Sequence, residues 1–136
     1  MPANIRKMFM AAALISAAPS AFADVITDWD EKAGAIVNAM PPYNSQRIMG
    51  MVHAAMFDAV NSIEPRYRPY LVQLPVSPST SKEAAAAAAA ATVLASLDAK
   101  TASAVRDALA VNLASIPDGP AKSDGIKLGE TVAAKV

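Results

Sequence analysis

Apolar residues recur at helical spacing along most of the chain, and proline-containing or short polar segments separate the runs. The first run predicts a helix from Asp24 to Met40, with apolar positions three and four residues apart. Pro41 and Pro42 end it, because proline disfavours helical geometry in the residue before it. A second helix is predicted to run to about Ile63, capped by Asn44 or Ser45. Its apolar arc is wide, which predicts contact with several neighbouring helices.

Three further helices are predicted in the second half of the chain. Thr80, followed three residues later by Glu83, fits a capping box that opens an alanine-rich helix from Ala84 onwards. A short turn, Asp98 to Thr101, precedes a fourth helix. The apolar positions of that fourth helix are Ala102, Val105, Leu109, Leu113 and Ile116. Pro120 suits the first position of a fifth helix, capped by Asp118 or Gly119.

These patterns predict an all-α fold of about five helices without a strand, and we interpret it as the first part of a larger helical-bundle protein. Gly125, Gly129 and Ala133 place small residues on one stripe of the last helix, which favours tight packing against another helix or self-association. The proline-rich segment Glu64 to Pro78 is predicted to be a crossover connection that two tyrosines anchor. Its length is also compatible with a loop that wraps a surface or serves a site.

The first 23 residues are typical of a secretory signal peptide. Arg6 and Lys7 form a positive start, an apolar run follows from Met8 to Ala18, and Ala21-Phe22-Ala23 fits a cleavage site. The apolar run is too short to span a bilayer, which needs about 20 residues. The alternatives are an uncleaved anchor and a buried helix. Cleavage before Asp24 predicts a periplasmic or secreted protein, with the helical domain at residues 24–136.

Charge and cysteine content exclude several classes of function. The chain has 12 basic and 12 acidic residues, and removal of Arg6 and Lys7 leaves 10 basic residues. A slightly acidic chain without a basic stripe is not expected to bind nucleic acid. Without cysteine it cannot form disulfides. The sequence has no second long apolar stretch, so we do not expect the chain to insert into a membrane after signal removal.

Few residues have the spacing that catalysis or metal binding needs. His53 is the single histidine, and it has no carboxylate four residues away on its own helix, so we interpret it as structural. Asp58 and Asn61 can share one helix face, where a partly buried carboxylate would need Arg47 or a backbone N–H as partner. The glycine-rich phosphate-binding, HExxH and nucleophile-elbow motifs are not present. We therefore assign no catalytic, cofactor-binding or metal-binding residue.

The segment from Arg47 to Ile63, RIMGMVHAAMFDAVNSI, resembles the N-terminal helical region of exported bacterial proteins of the vanadium-dependent haloperoxidase family, within the type-2 phosphatidic acid phosphatase superfamily. The resemblance extends in order over nearly all of residues 24–136. Its other matching segments are Asp28-Trp29-Asp30, Tyr67-Arg68-Pro69-Tyr70, Glu83-Ala84-Ala85-Ala86, Thr92-Val93-Leu94, Ala114 to Gly119, and Gly125 to Gly129.

The resemblance implies an all-α protein with two helical bundles, in which the second bundle binds vanadate or phosphate. The family's oxyanion site comes from K-x6-R-P, P-S-G-H and S-R-x5-H motifs, whose cationic side chains neutralise the anion. None of the three motifs is in this chain. Arg68-Pro69 is its only Arg-Pro, and Asn61 stands where the lysine would be.

Two functional hypotheses follow from the sequence. In the first, the chain is the N-terminal fragment of a haloperoxidase-like or phosphatase-like protein, is inactive alone, and has the missing C-terminal helical bundle as its partner. The uncapped helical pattern at Lys135-Val136 favours this interpretation. In the second, the chain is a small exported all-α module that binds a partner or forms a homo-oligomer.

Overall fold

Five α-helices form the part of the chain that the computed structural model describes, which is residues 21–136. Their bounds are Ala21–Val37 (α1), Pro42–Ile63 (α2), Lys82–Ala95 (α3), Ala99–Ala114 (α4) and Pro120–Ala133 (α5). These residues contain no strand, so the predicted all-α fold is confirmed. The predicted signal peptide lies outside the described residues, apart from residues 21–23, which begin α1.

The alanine-rich helix α3 is the axis of the bundle. It contacts all four other helices, and its alanines from Ala84 to Ala90 are completely buried. Alanine combines the highest helix propensity with a side chain small enough for neighbouring helices to approach closely. Larger side chains from the surrounding helices, including Trp29 of α1 and Val52 and Met56 of α2, complete the core.

Helix α5 packs against α3 in the same direction, and two glycines make this contact possible. A Cβ atom on Gly125 would lie 2.6 Å from the carbonyl oxygen of Ser81, and one on Gly129 would lie 2.4 Å from that of Ala85. Both distances are far below ordinary van der Waals contact. The small-residue stripe therefore packs tightly within the chain, and self-association through it would require α5 to leave α3.

The structure corrects the predicted beginnings of α1 and α2. Helix α1 spans Ala21–Val37, not Asp24 to Met40. Helix α2 ends at Ile63 as predicted but begins at Pro42, with Pro41 as its N-cap.

The cap predicted for α2 is wrong because backbone groups perform its role. The carbonyl oxygen of Pro41 accepts the backbone N–H of Asn44 and of Ser45, and the Ser45 hydroxyl donates back to the carbonyl oxygen of Pro42 at 3.0 Å. Pro42 at the first position of the helix has no N–H that needs a partner. No side chain therefore caps this end of α2.

The helices α3 and α4 begin at positions that differ from the predicted ones. Ser81, not Thr80, caps α3, and its hydroxyl oxygen accepts the Ala84 N–H at 3.2 Å. Asp98 caps α4 by accepting the Thr101 N–H at 2.8 Å, so Thr101 belongs to the helix and not to the turn. The α5 prediction is confirmed, with Gly119 as N-cap at φ 149° followed by proline.

A helix that crosses a bilayer has to be both long and apolar. None of the helices in residues 21–136 is both long and apolar enough to cross a bilayer.

Candidate functional site

A cluster of polar side chains is buried at the C-terminal end of α2. Asp58, Asn61 and Ser62 lie three and four residues apart, so one face of the helix carries all three. Asp58 is completely buried, with 0% of its surface exposed. A carboxylate in such a position is costly unless hydrogen bonds satisfy its oxygens.

Backbone N–H groups of the following loop satisfy the Asp58 carboxylate. The Tyr70 N–H donates to its Oδ1 at 2.8 Å, and the N–H groups of Leu71 and Val72 donate to Oδ2 at 2.8 and 2.9 Å. Both carboxylate oxygens are thus engaged by one continuous stretch of main chain. Of the two partners that the sequence predicts for this carboxylate, the structure shows the backbone N–H and not Arg47.

Asn61 and Ser62 hold the rest of this loop in the same way. The Asn61 Oδ1 accepts the N–H of Arg66 at 3.1 Å and of Tyr67 at 3.0 Å, and its amide nitrogen donates to the Tyr67 carbonyl oxygen at 2.8 Å. The Ser62 hydroxyl accepts the Leu74 N–H at 3.0 Å and donates to the Asp58 carbonyl oxygen. The cluster therefore fixes the main chain from residue 66 to residue 74.

The side chains of this loop project outwards. The two tyrosines that were predicted to anchor the connection, Tyr67 and Tyr70, are 68% and 73% exposed. Phe57 of α2 supports both rings, at centroid distances of 6.1 Å from Tyr67 and 5.3 Å from Tyr70. Main-chain hydrogen bonds to α2, and not tyrosine burial, anchor the connection. We call residues 66–71 the Tyr–Arg loop.

An ion-pair cluster lies beside the Tyr–Arg loop, between the end of α2 and the beginning of α3. Glu64 accepts hydrogen bonds from Lys82 at the start of α3 and from Arg66. The hydrogen bond from Lys82, followed by that from Arg66, lowers the pKa of the Glu64 carboxyl below its ordinary value of 4.5. Glu64 thereby links the end of α2 to the beginning of α3.

The single histidine has a carboxylate partner on another helix. Nε2 of His53 lies 2.7 Å from Oδ1 of Asp30, which joins α2 to α1, and both side chains are more than half exposed. Periodicity along one helix could not reveal this pair, because 23 residues separate its members. Within residues 21–136 the hydrogen-bond partner of the ring is Asp30, a contact that is compatible with the structural role predicted for His53.

Two shallow grooves lie on the surface of the described residues. One, of about 410 Å³, lies between the end of the α2–α3 connection and α5, and includes the buried Thr80 beside Asp124 and Lys127. The other, of about 390 Å³, lies between the α1–α2 and α3–α4 turns and is lined mainly by methionine and aliphatic side chains with Arg47 at its edge. The hydroxyl groups of Ser77 and Thr131 also line the first groove, where they bind Ser79 and the Lys127 carbonyl oxygen.

Several cationic side chains of the described residues already have partners. A site for vanadate or phosphate needs convergent cationic donors that remain available to the anion. Here Lys82 and Arg66 both bind Glu64, Lys122 binds Asp118 and the Ile116 carbonyl oxygen, and His53 binds Asp30. No group of three or more His, Asp or Glu side chains in residues 21–136 is arranged to hold a metal ion.

Comparison of the chain with models of known protein families, with curated proteins and with solved structures finds no match.

Proposed function

We propose that this chain is the N-terminal helical bundle of an exported protein related to the vanadium-dependent haloperoxidases and acid phosphatases. In this proposal it is a structural unit, inactive alone, and the oxyanion chemistry belongs to a C-terminal bundle that is its partner. Residues 1–23 act as a cleaved signal peptide, so that the bundle is periplasmic or secreted.

One observation carries the proposal. The hydrogen bonds of Asp58 and Asn61 join two segments of the resemblance into a single structural unit. These are Arg47 to Ile63, the more specific one, and Tyr67 to Tyr70. A resemblance that falls on residues needed to build one folded unit supports a shared fold. The chemistry of the family depends on other motifs, which this sequence does not contain.

Activity measurements on the purified chain test the inactive part of this proposal. We expect neither vanadate-dependent oxidation of bromide nor hydrolysis of p-nitrophenyl phosphate above the level of a heat-unfolded sample. Vanadate-dependent bromide oxidation that Arg68→Ala or His53→Ala abolishes would overturn the proposal.

The mass of the native protein tests the two-bundle part. An antibody against residues 64–80, which lie largely at the surface, would detect the protein in the exported fraction of its source. We expect a species several times larger than residues 24–136. A species whose mass equals that of Asp24 to Val136 would contradict this part and favour the alternative, a small exported all-α module that binds a partner. The exposed tyrosines of the Tyr–Arg loop are the observation that favours this second function.

A further inference from the structure

We propose that the Tyr–Arg loop is a preformed docking surface for a separate protein whose contact surface carries carboxylates. The contact side chains are Tyr67, Arg68, Tyr70 and Leu71, all of which are exposed. This inference goes beyond the proposed structural role of the bundle and does not depend on it.

Hydrogen bonds to α2 hold the main chain of the Tyr–Arg loop in place. Asp58 and Asn61 each accept backbone N–H groups of the loop. Complete burial of a carboxylate costs free energy, and a simple connection between two helices does not require it. The loop side chains nevertheless bury little apolar surface for the core. A main chain ordered before binding loses less conformational entropy when a partner docks, which raises the affinity that a small surface can reach.

The exposed side chains of the loop are of the types that bind proteins well. Tyrosine and arginine dominate the binding energy of many protein interfaces, because each offers a large contact area together with hydrogen-bonding capacity. Leu71, 63% exposed, adds an apolar contact beside Tyr70. Since Phe57 packs against both tyrosine rings from α2, the rings are supported from within and free towards solvent.

Charge identifies the kind of partner. Arg68 is exposed and makes no hydrogen bond or ion pair within the described residues. Glu64, the nearest acid in sequence, is already bound by Arg66 and Lys82. The loop is therefore a positive region on a chain that is slightly acidic after residue 23. A second copy of the same region would oppose like charges at a twofold axis, so a carboxylate-bearing partner is the better match.

The Tyr–Arg loop and the C-terminal end of α5 lie at opposite ends of the described bundle. The loop lies where α2 ends and α3 begins, as the contact between Glu64 and Lys82 shows. Helix α5 runs parallel to α3 and ends at the other end of the bundle, about 20 Å away along a 14-residue helix.

Site-specific photocrosslinking in the source organism tests the proposal. The full chain would carry Tyr70→p-benzoylphenylalanine, with Tyr43→p-benzoylphenylalanine as matched control, since Tyr43 is 77% exposed on α2 and outside the loop. We expect position 70, and not position 43, to form a light-dependent adduct with one other protein. The crosslinked peptide of that protein should contain Asp or Glu close to the attachment point.

Charge variants of Arg68 complete the test. Arg68→Glu should reduce the adduct about tenfold and Arg68→Lys should retain most of it, because the contact depends on charge. Arg68→Ala, which introduces no negative charge, should give an intermediate yield. No adduct, equal adducts from both positions, an adduct with a second copy or within the same polypeptide, or an adduct unchanged by Arg68→Glu would each overturn the proposal.

Discussion

A Cβ atom placed on Gly129 would lie 2.4 Å from the carbonyl oxygen of Ala85, so α5 and α3 contact each other through their backbones. The neighbour that would have to move is main chain in the completely buried part of α3, and it cannot rotate away as a side chain could. This contact explains why an alanine-rich axis can hold a bundle together. Small side chains on both helices replace interdigitating large ones, and the packing tolerates no added volume.

Gly129→Ala is therefore expected to destabilise the protein, although alanine is the better helix former. The clash should lower the free energy of unfolding by about 2 kcal/mol or more. Gly50→Ala is the matched control, because Gly50 lies inside α2 and an added Cβ meets nothing within 4 Å. Because alanine has a higher helix propensity than glycine, Gly50→Ala should raise the free energy of unfolding by about 0.5–1 kcal/mol. Urea denaturation of both variants measures the difference, and equal effects would contradict the close α3–α5 contact.

Asp58→Asn should loosen the Tyr–Arg loop. The amide nitrogen cannot accept the N–H groups that one carboxylate oxygen accepts now, so at least one buried donor loses its partner. We expect a loss of about 2–4 kcal/mol in the free energy of unfolding. Amide hydrogen exchange should also become faster at Tyr70, Leu71 and Val72.

The matched control for Asp58 is Asp107→Asn, at an exposed position of α4. This change should leave stability within about 0.5 kcal/mol of the parent protein. If Asp58→Asn behaved like Asp107→Asn, the buried cluster would not be the anchor of the loop.

Stability should fall in acid. Hydrogen bonds lower the pKa of Glu64 below 4.5 and those of Asp98 and Asp118 below 3.8 in the folded protein. The unfolded chain therefore binds more protons just below these values, and the stabilisation is present above them and lost as the pH falls. The urea midpoint should decrease from about pH 5 towards pH 3.

Glu64→Gln separates the contribution of Glu64 from those of the two aspartates. The variant should be less stable than the parent protein near neutral pH, and the difference between the two should shrink as the pH falls below the ordinary pKa of 4.5. A difference that stayed constant across this range would show that the charge of Glu64 does not link α2 to α3.

Local patterns were sufficient to predict the helices but not all of their ends. The end of α2 at Ile63 and the Gly119-Pro120 start of α5 follow from residue types that act within one turn. The start of α2 at Pro42 does not, because main-chain groups replaced the expected side-chain cap. For α3, two adjacent hydroxyl residues compete for one position, and the structure buries Thr80 and uses Ser81.

The sequence alone could not predict which residues distant along the chain contact each other. The spacing of Asp58 and Asn61 predicts a shared polar face, but which groups satisfy it depends on how the following loop folds back onto α2. The contact between Asp30 and His53 depends on the angle between α1 and α2, which no single-helix pattern contains. The tyrosines of the Tyr–Arg loop were predicted to anchor the connection, whereas hydrogen bonds from its main chain to Asn61 and Asp58 do so here.

The Asp30–His53 pair is expected to contribute little to stability. Both side chains are more than half exposed, and pairs in such positions typically contribute about 0–1 kcal/mol because water competes for the charges. In a double-mutant cycle, His53→Ala, Asp30→Ala and the combined variant should give a coupling energy within that range, measured by urea denaturation near pH 6. His53→Ala should leave the fold intact, as circular dichroism can establish. A coupling energy above about 2 kcal/mol would show that the pair holds α1 onto α2 more strongly than its exposure allows, and that the buried contacts of Trp29 alone do not fix α1 in place.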